Sequence, residues 1–420
     1  MGTMSRTLAC GIALLVAACA APHAGSGDDA GAGDAPTSSG AAHPFGTHGG
    51  YTTTGVIFPA NHSQGELDAA TAAFYDTWKT TYLVPGCAAG QARVKTAPAT
   101  DDFTVSEGHG YGMLIAAIMD GHDPDAQTIF DGLYAYYDAH RSTNDSGLMA
   151  WAQDEACANV GGADSATDGD LDIAYALLLA DRQWGSAGTV DYGAAATRII
   201  ASILASDVHP ARSILVGDWA SASDLHYTGT RPSDFMTSHF RRFGGKGAEV
   251  VEHTYVLVDY LQVHAAPATG LLPDFVIKAD TAAPAPAPAN WLESADDGHY
   301  AYNACRVPWR IGTDYLMGGE PRAQTAVRKI DAWVRGVTQD DPAKLVDGYK
   351  LDGTAVGTSP ELSFVAPFAV GAMIEPATGT NQPWLDALWD HMAAAPIHEY
   401  YGDSLKLLAM IVASGNWWVP

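Results

Sequence analysis

The stretch Ser63-Gln64-Gly65-Glu66-Leu67-Asp68-Ala69-Ala70-Thr71-Ala72-Ala73-Phe74-Tyr75-Asp76-Thr77-Trp78 begins with a helix-start signature and then keeps a helical period. Ser63 and Glu66 stand at capping-box spacing, where each side chain can satisfy a free backbone N–H near the other. Leu67, Ala70, Phe74 and Trp78 then recur on one face. The same rhythm returns downstream, with further helix starts expected near Glu107, Pro124, Asp170, Asp191, Pro232, Ala248, Arg310, Pro321, Pro360, Gln382 and His398. Ser359-Pro360 reads as an N-cap followed by proline at the first helical position, where a missing N–H costs nothing. Alternating strand patterns are short and few. The fold class is therefore all-α, and about twelve helices suit six hairpins closed into an (α/α)6 toroid.

Of the 420 residues, 47% are apolar and 10% aromatic, enough for one sizeable domain with a large core. A formal charge of −26 repels phosphate backbones and argues against a nucleic-acid partner, while it tolerates neutral sugars and would attract a cationic polymer. At the N-terminus, Arg6 precedes the apolar run Leu8 to Ala18, an export signal too short to span a membrane as a mature helix. Val16-Ala17-Ala18-Cys19 resembles a bacterial lipobox, in which Cys19 becomes the lipidated first residue; the alternative is an ordinary signal with a chance cysteine. Residues 20–44 are rich in Ala, Gly, Ser, Asp and Pro and are expected to form a disordered tether. The expected division is thus a signal over 1–19, a linker over 20–44 and a folded body over 45–420. The protein should be exported, either lipid-anchored at the cell envelope or extracellular, and monomeric.

Removal of the signal leaves Cys87, Cys157 and Cys305 in an oxidising compartment. Cys87 and Cys157 occupy irregular segments flanking two acidic motifs, whereas Cys305 lies in an apolar motif, so the first two should pair. No CxxC or Cys/His spacing suggests a metal, and His109, His239 and His253 stand apart, so no metal or other cofactor is expected. Two irregular stretches interrupt the helices: 141–169, rich in Gly, Asp, Ser and Asn, and 279–300, where Ala283-Pro284-Ala285-Pro286-Ala287-Pro288 should form an extended polyproline strut. Long irregular loops inside a compact domain usually serve function.

Two runs carry candidate chemistry. Val105-Ser106-Glu107-Gly108-His109-Gly110-Tyr111-Gly112-Met113 sets one acid among three glycines at a loop-to-helix junction, where glycines let a substrate approach the backbone. On its own, Glu107 would read as a first-turn acid favoured by the helix dipole. Ala166-Thr167-Asp168-Gly169-Asp170-Leu171-Asp172 then places three carboxylates at a second helix start, where one would suffice for capping.

Together these runs resemble glycoside hydrolase family 8. The resemblance extends over nearly all of 50–418 and includes Leu148-Met149-Ala150-Trp151, Arg231-Pro232-Ser233-Asp234-Phe235, Cys305-Arg306-Val307-Pro308-Trp309-Arg310 and Tyr401-Gly402-Asp403-Ser404-Leu405. It implies a six-hairpin toroid with a sugar cleft across the helix ends, making 45–420 a catalytic domain. It also implies Glu107 as general acid and Asp168 as the residue that holds the sugar at the cleavage point. Many members place an Asp base three residues before the position of Arg306, but here that position is Asn303, and an amide cannot accept the proton of an attacking water. The sequence is similar instead to the subgroup of chitosanases and lichenases, whose base is a Glu in an inserted loop. Asn290-Trp291-Leu292-Glu293 matches that loop and makes Glu293 the expected base.

The resemblance implies an inverting reaction, for which the two carboxyl groups should stand roughly 6.5–9.5 Å apart to admit a water. The acid must keep its proton near neutral pH, by burial or a neighbouring carboxylate, while the base stays ionised. Trp151, in a family motif beside the Gly-rich loop, is the favoured sugar platform. Tyr302, Asn303 and Arg306 are further candidate substrate contacts, with Trp219 and Trp291 also near the irregular stretches; Arg306 could alternatively brace Glu293 or form a structural salt bridge. The expected activity is endo-hydrolysis of a β-1,4-linked polysaccharide, either a β-glucan (cellulose-type or mixed-linkage) or chitosan. The alternative is a non-catalytic, membrane-tethered polysaccharide-binding protein on the same fold.

Overall fold

The computed structural model describes residues 40–52, 54–97, 103–376 and 378–420. The expected signal, Cys19 and most of the tether lie outside these residues. Among those described, twelve α-helices follow one another: α1 (Gln64–Tyr82), α2 (Ser106–Ile118), α3 (Ala126–Ala139), α4 (Thr167–Trp184), α5 (Tyr192–Ser206), α6 (Thr237–Phe243), α7 (Lys246–His264), α8 (Val307–Gly318), α9 (Pro321–Thr338), α10 (Leu362–Ala372), α11 (Gln382–Ala394) and α12 (Tyr400–Ala413). Three short antiparallel pairs accompany them: β1 (Leu83–Pro85) with β2 (Ala92–Val94), β3 (Thr104–Val105) with β4 (Ala152–Gln153), and β5 (Val276–Ile277) with β6 (Ala285–Pro286).

The even-numbered helices form a closed inner ring, α2 against α4, α4 against α6, and onward through α8, α10 and α12 back to α2. Each odd-numbered helix packs outside its even partner. This is the (α/α)6 toroid. The composition of the helices explains which ring each joins. Every residue of α2 except Glu107 is buried, as is every residue of α10 except Leu362 and of α12 except Tyr401. A helix apolar on all sides is stable only when surrounded. By contrast α9 buries one stripe, Ala323, Ala326, Val327, Ile330 and Val334, and leaves the opposite face to solvent.

Local details differ from the sequence reading in several places. The Ser63–Glu66 capping box forms, but the buried stripe of α1 is Leu67, Thr71, Tyr75, Trp78 and Tyr82, with Ala70 and Phe74 half-buried. The polar tips of that stripe have partners, Thr71 Oγ1 on the Leu67 carbonyl at 2.9 Å and the Tyr75 hydroxyl on Asp123, so they enter the core without an unsatisfied group. Pro360 is not the first residue of α10, which starts at Leu362. Asp347 instead accepts the N–H groups of Thr358 and Ser359, at 2.7 and 2.9 Å, and holds that segment as a turn. The Ala-Pro run is no isolated strut: Ala285 and Pro286 pair with β5, and the Ala287 N–H donates to Phe275 at 2.9 Å. Because prolines alternate with alanines, the residues that keep an N–H can face the partner strand.

The glycines of α2 have a different role from the one expected. A Cβ on Gly110 would lie 2.7 Å from Asp172 Cβ, and one on Gly108 would lie 2.6 Å from the Tyr400 hydroxyl. They let α4 and α12 approach the helix closely, rather than admitting substrate to the backbone. Towards the start of the described residues, the last residues of the expected tether are seated on the body: the His43 ring stacks on Trp418 at 4.3 Å and the His43 backbone N–H donates to Gln183 Oε1 at 2.7 Å.

Cys87 and Cys157 form a disulfide and Cys305 is a buried free thiol, which burial pushes up to about 12. The bridge spans 70 residues and ties the irregular stretch after α3 to the β1–β2 turn. Arg93 grips the same stretch, donating to the carbonyls of Asp154 and Glu155 at 2.9 and 2.7 Å. Loop-closure entropy for that length is about 4 kcal/mol. Cys87→Ser/Cys157→Ser is therefore expected to lower the urea midpoint by an amount equivalent to several kcal/mol; an unchanged midpoint would show that Arg93 alone holds the loop.

Candidate active site

The pairing of β3 with β4 sets the start of α2, since the Ser106 N–H donates to the Trp151 carbonyl at 2.8 Å. One link thus places Glu107 and Trp151 side by side. The first turn of α4 brings Asp168 beside them, and all three line one open cleft of about 580 Å3. The same cleft is also lined by Trp219, Arg231, Leu292, Glu293 and Asn303. Glu107, Asp168 and Glu293, far apart in sequence, therefore meet in one cleft together with Trp151 and Asn303. Both Trp151 and Trp219 are half-buried on its surface, the exposure expected of rings that stack on sugars.

Beneath the cleft lies Arg306, only 1% exposed. It was a candidate substrate contact, but its guanidinium is spent on protein groups. Nη1 donates to Glu107 Oε2 and to Asp168 Oδ2, the latter at 2.9 Å, while Nη2 donates to Ser233 Oγ and Asn303 Oδ1, both at 2.9 Å. Such use of all the fork's donors suits a group buried away from water. The Asn303 amide then donates to Glu293 Oε2 at 2.7 Å. Arg306 thus braces Glu107 and Asp168 directly, and Glu293 only through Asn303.

Charge distribution follows from this network. Two buried carboxyl groups, Asp168 and Asp234, and the half-buried Glu107 share two guanidiniums, Arg306 and Arg231. Burial opposes ionisation of each. For Asp168 that effect is overruled by ion pairs at 2.9 Å with both Arg231 and Arg306, which hold it down at about 2. For Glu107 burial wins: its carboxyl is raised above the usual range, with Arg306 opposing and the negative Asp168 reinforcing the shift. Asp234 is likewise pushed up by burial, to about 7, against Arg231. A carboxyl shifted towards keeping its proton sits beside one shifted towards losing it, the division of labour an acid catalyst requires. The Tyr400 hydroxyl donates to Glu107 Oε1 at 3.0 Å and fixes the other oxygen.

Of the remaining candidates, Tyr302 stands outside this cleft: it is 48% exposed, packs edge-on against Phe364 and donates its hydroxyl to Asp347 at 3.1 Å. Trp291 is a core residue rather than a platform, buried against Phe275, Ala287 and Val216 in a small second apolar cluster beneath the loop. Sequence reading did not assign Arg231, Tyr400 or Asp164 to the site. Arg231 and Asp164 line the cleft, and Tyr400 reaches it through Glu107. Among the described residues, no group of three or more His, Cys, Asp or Glu is placed to hold a metal ion.

A toroid whose inner helix ends present paired carboxyl groups in an open, aromatic-lined cleft is the architecture of a polysaccharide hydrolase. Comparison with known proteins agrees. The profile described as "Glycosyl hydrolases family 8" matches residues 62–415. A "Beta-glucanase" of Niallia circulans is 45% identical over 381 residues, 89% of this chain and 91% of the relative. An "Endoglucanase" of Bacillus sp. (strain KSM-330) is 40% identical over 383 residues, 87% of this chain and 80% of the relative. The apo structure of a β-1,3-1,4-glucanase from Paenibacillus sp. X4 superposes with a TM-score of 0.86 at 44% identity, covering 90% of this chain and 99% of that one. The chain belongs to glycosyl hydrolase family 8 and is a glycoside hydrolase.

Proposed function

We propose that the protein is an exported, inverting endo-β-glucanase acting on β-1,4 or mixed β-1,3-1,4 linkages, with Glu107 as general acid, Glu293 as general base and Asp168 holding the sugar at the cleavage point. The observation that carries this reading is the meeting of Glu107 and Glu293 in one cleft. Glu293 is there held by the Asn303 amide, the residue standing where many relatives have their base. A non-catalytic binder would have no need of an acid with a raised pKa in the same cleft as a second carboxyl group. The names of these relatives favour glucan over chitosan. The tryptophans supply flat apolar faces for neutral sugar rings. Cys19 remains the proposed lipid anchor, and no helix among the described residues is long and apolar enough to cross a membrane.

Reducing-end release by the purified protein on barley-type β-glucan, carboxymethyl-cellulose, chitosan and xylan tests the reading. Release is expected on barley β-glucan and carboxymethyl-cellulose, with a rapid fall in viscosity that marks internal cleavage. Release from chitosan alone would overturn the substrate assignment, and binding without release on all four would favour the binder.

A further inference from the structure

The segment that carries Glu293 has no helix or strand of its own, so something else must hold its backbone. A buried carboxylate does so. Asp297 is 1% exposed, and its Oδ2 accepts the N–H groups of Leu292 and Glu293 at 2.7 and 3.1 Å while its Oδ1 accepts that of Ser294 at 2.8 Å. Three consecutive amides converge on one anion, a concave nest whose ligand is supplied by the chain itself. Two further contacts fix the same turn. The Trp291 ring is buried in the second apolar cluster, and the Trp291 carbonyl accepts from His226 Nε2 at 2.9 Å, with Asp224 2.6 Å from the opposite ring nitrogen. Asp297 does not line the cleft, so its effect on substrate must pass through the turn.

We propose that Asp297 is the positioning residue of the general base, setting the Glu293 Cα so that its carboxylate meets the Asn303 amide and the attacking water. The inference rests on the assignment of Glu293 as base. A glutamate head has three rotatable bonds behind it, and one hydrogen bond from Asn303 can fix the head only if the backbone end is also fixed. Misplacement by about 1 Å costs on the order of 10²-fold in rate. Without the Asp297 carboxylate, three N–H groups lose their acceptor and the turn can rearrange to find others. An asparagine at 297 keeps one acceptor oxygen, enough for Leu292 and Glu293, but turns an NH2 towards the Ser294 N–H.

The test compares Asp297→Ala, Asp297→Asn, Glu293→Ala and the double variant Glu293→Ala/Asp297→Ala in the full chain on barley β-glucan, with and without azide. Asp297→Ala is expected to lose about 10²-fold in kcat with KM within about threefold, and Asp297→Asn to lose about tenfold. Azide, a nucleophile that needs no base, should recover part of both losses, which a loss of folding would not allow. The double variant should be no slower than Glu293→Ala, because a residue acting through Glu293 has nothing left to position. Kinetics of Asp297→Ala within threefold of the parent, no response to azide, or multiplied losses in the double variant would each overturn the inference. If circular dichroism shows Asp297→Ala unfolded, Asp297→Asn decides by the same kcat and azide readouts. An active Glu293→Ala removes the base assignment and this inference with it, whereas a dead, azide-rescued Glu293→Ala beside a normal Asp297→Ala removes only the inference.

Discussion

Glu107→Gln is expected to lower turnover of β-glucan at least about 10²-fold while leaving polymer binding near the parent value. The amide keeps the shape and can still meet Arg306 and Tyr400, but it has no proton to give the departing glycosidic oxygen, and general acid catalysis is worth about 10²–10⁴-fold. Activity within a few-fold of the parent would remove Glu107 from the chemistry. A pH profile adds a second check. Because burial and the negative Asp168 raise the Glu107 carboxyl, the protonated, active form persists to higher pH than for a free glutamate, and activity falls as pH rises through that raised value. Asp168→Asn removes the reinforcing charge and frees Arg306 to pair with Glu107 alone. The alkaline limb of kcat/KM should therefore move to lower pH in Asp168→Asn, besides any loss from weaker sugar binding. A limb that stays in place or moves upward would show that Asp168 does not set the acid.

How much of this was legible in the sequence depends on the range of the interactions. Helix starts are local: a capping residue, a proline or a switch in period marks most of them, and eleven of the twelve helices begin within three residues of their signals, while Pro232 opens a short 3-10 turn five residues ahead of α6. The face a helix buries is less local. In α1 it was displaced by one residue because Thr71 and Tyr75 find partners on Leu67 and Asp123, which hydropathy alone does not register. The role of Gly108 and Gly110 was misread for a similar reason, since only the packed structure shows Tyr400 and Asp172 against them. In the site, Glu107, Asp168, Trp151 and Glu293 stand in motifs that point to them, whereas Arg231, though inside a quoted motif, and Tyr400 owe their place to contacts across the toroid. Tyr400 reaches Glu107 from 293 positions away, and no pattern near either residue announces it. Asp297 was within reach, because an Asp a few residues after an irregular, functional turn is a common acceptor for its free N–H groups.

Glu293→Ala is expected to lower kcat on β-glucan about 10³-fold, and added azide to restore part of it. On the proposed assignment, the water oxygen bonds to the anomeric carbon, its proton passes to Glu293, and the glycosidic C–O bond breaks as its oxygen takes the proton of Glu107. Alanine leaves the water without an acceptor for that proton, while azide attacks without needing one, so the product should be the glycosyl azide of inverted configuration. Retained hydrolysis in Glu293→Ala, with Asp168→Ala or Asp314→Ala dead, would show the base to be elsewhere. Asp314 itself is 1% exposed and engaged by Arg241 and the Tyr255 hydroxyl, which suits a structural carboxylate. Asn303→Asp probes the same geometry from the other side. In the parent the Asn303 amide donates to Glu293 Oε2 at 2.7 Å while its Oδ1 accepts from Arg306 at 2.9 Å, so the residue links Glu293 to the arginine with both ends satisfied. An aspartate would keep the bond to Arg306 but turn an oxygen towards Glu293, where two carboxylates at hydrogen-bond distance cannot both remain ionised at little cost. One of them then holds a proton near neutral pH, and the base is either protonated or pushed aside. Asn303→Asp should therefore be slower than the parent at neutral pH, with the acid limb of its kcat/KM profile moved upward, and a faster variant would mean that the carboxylate of Glu293 is not the one that activates water.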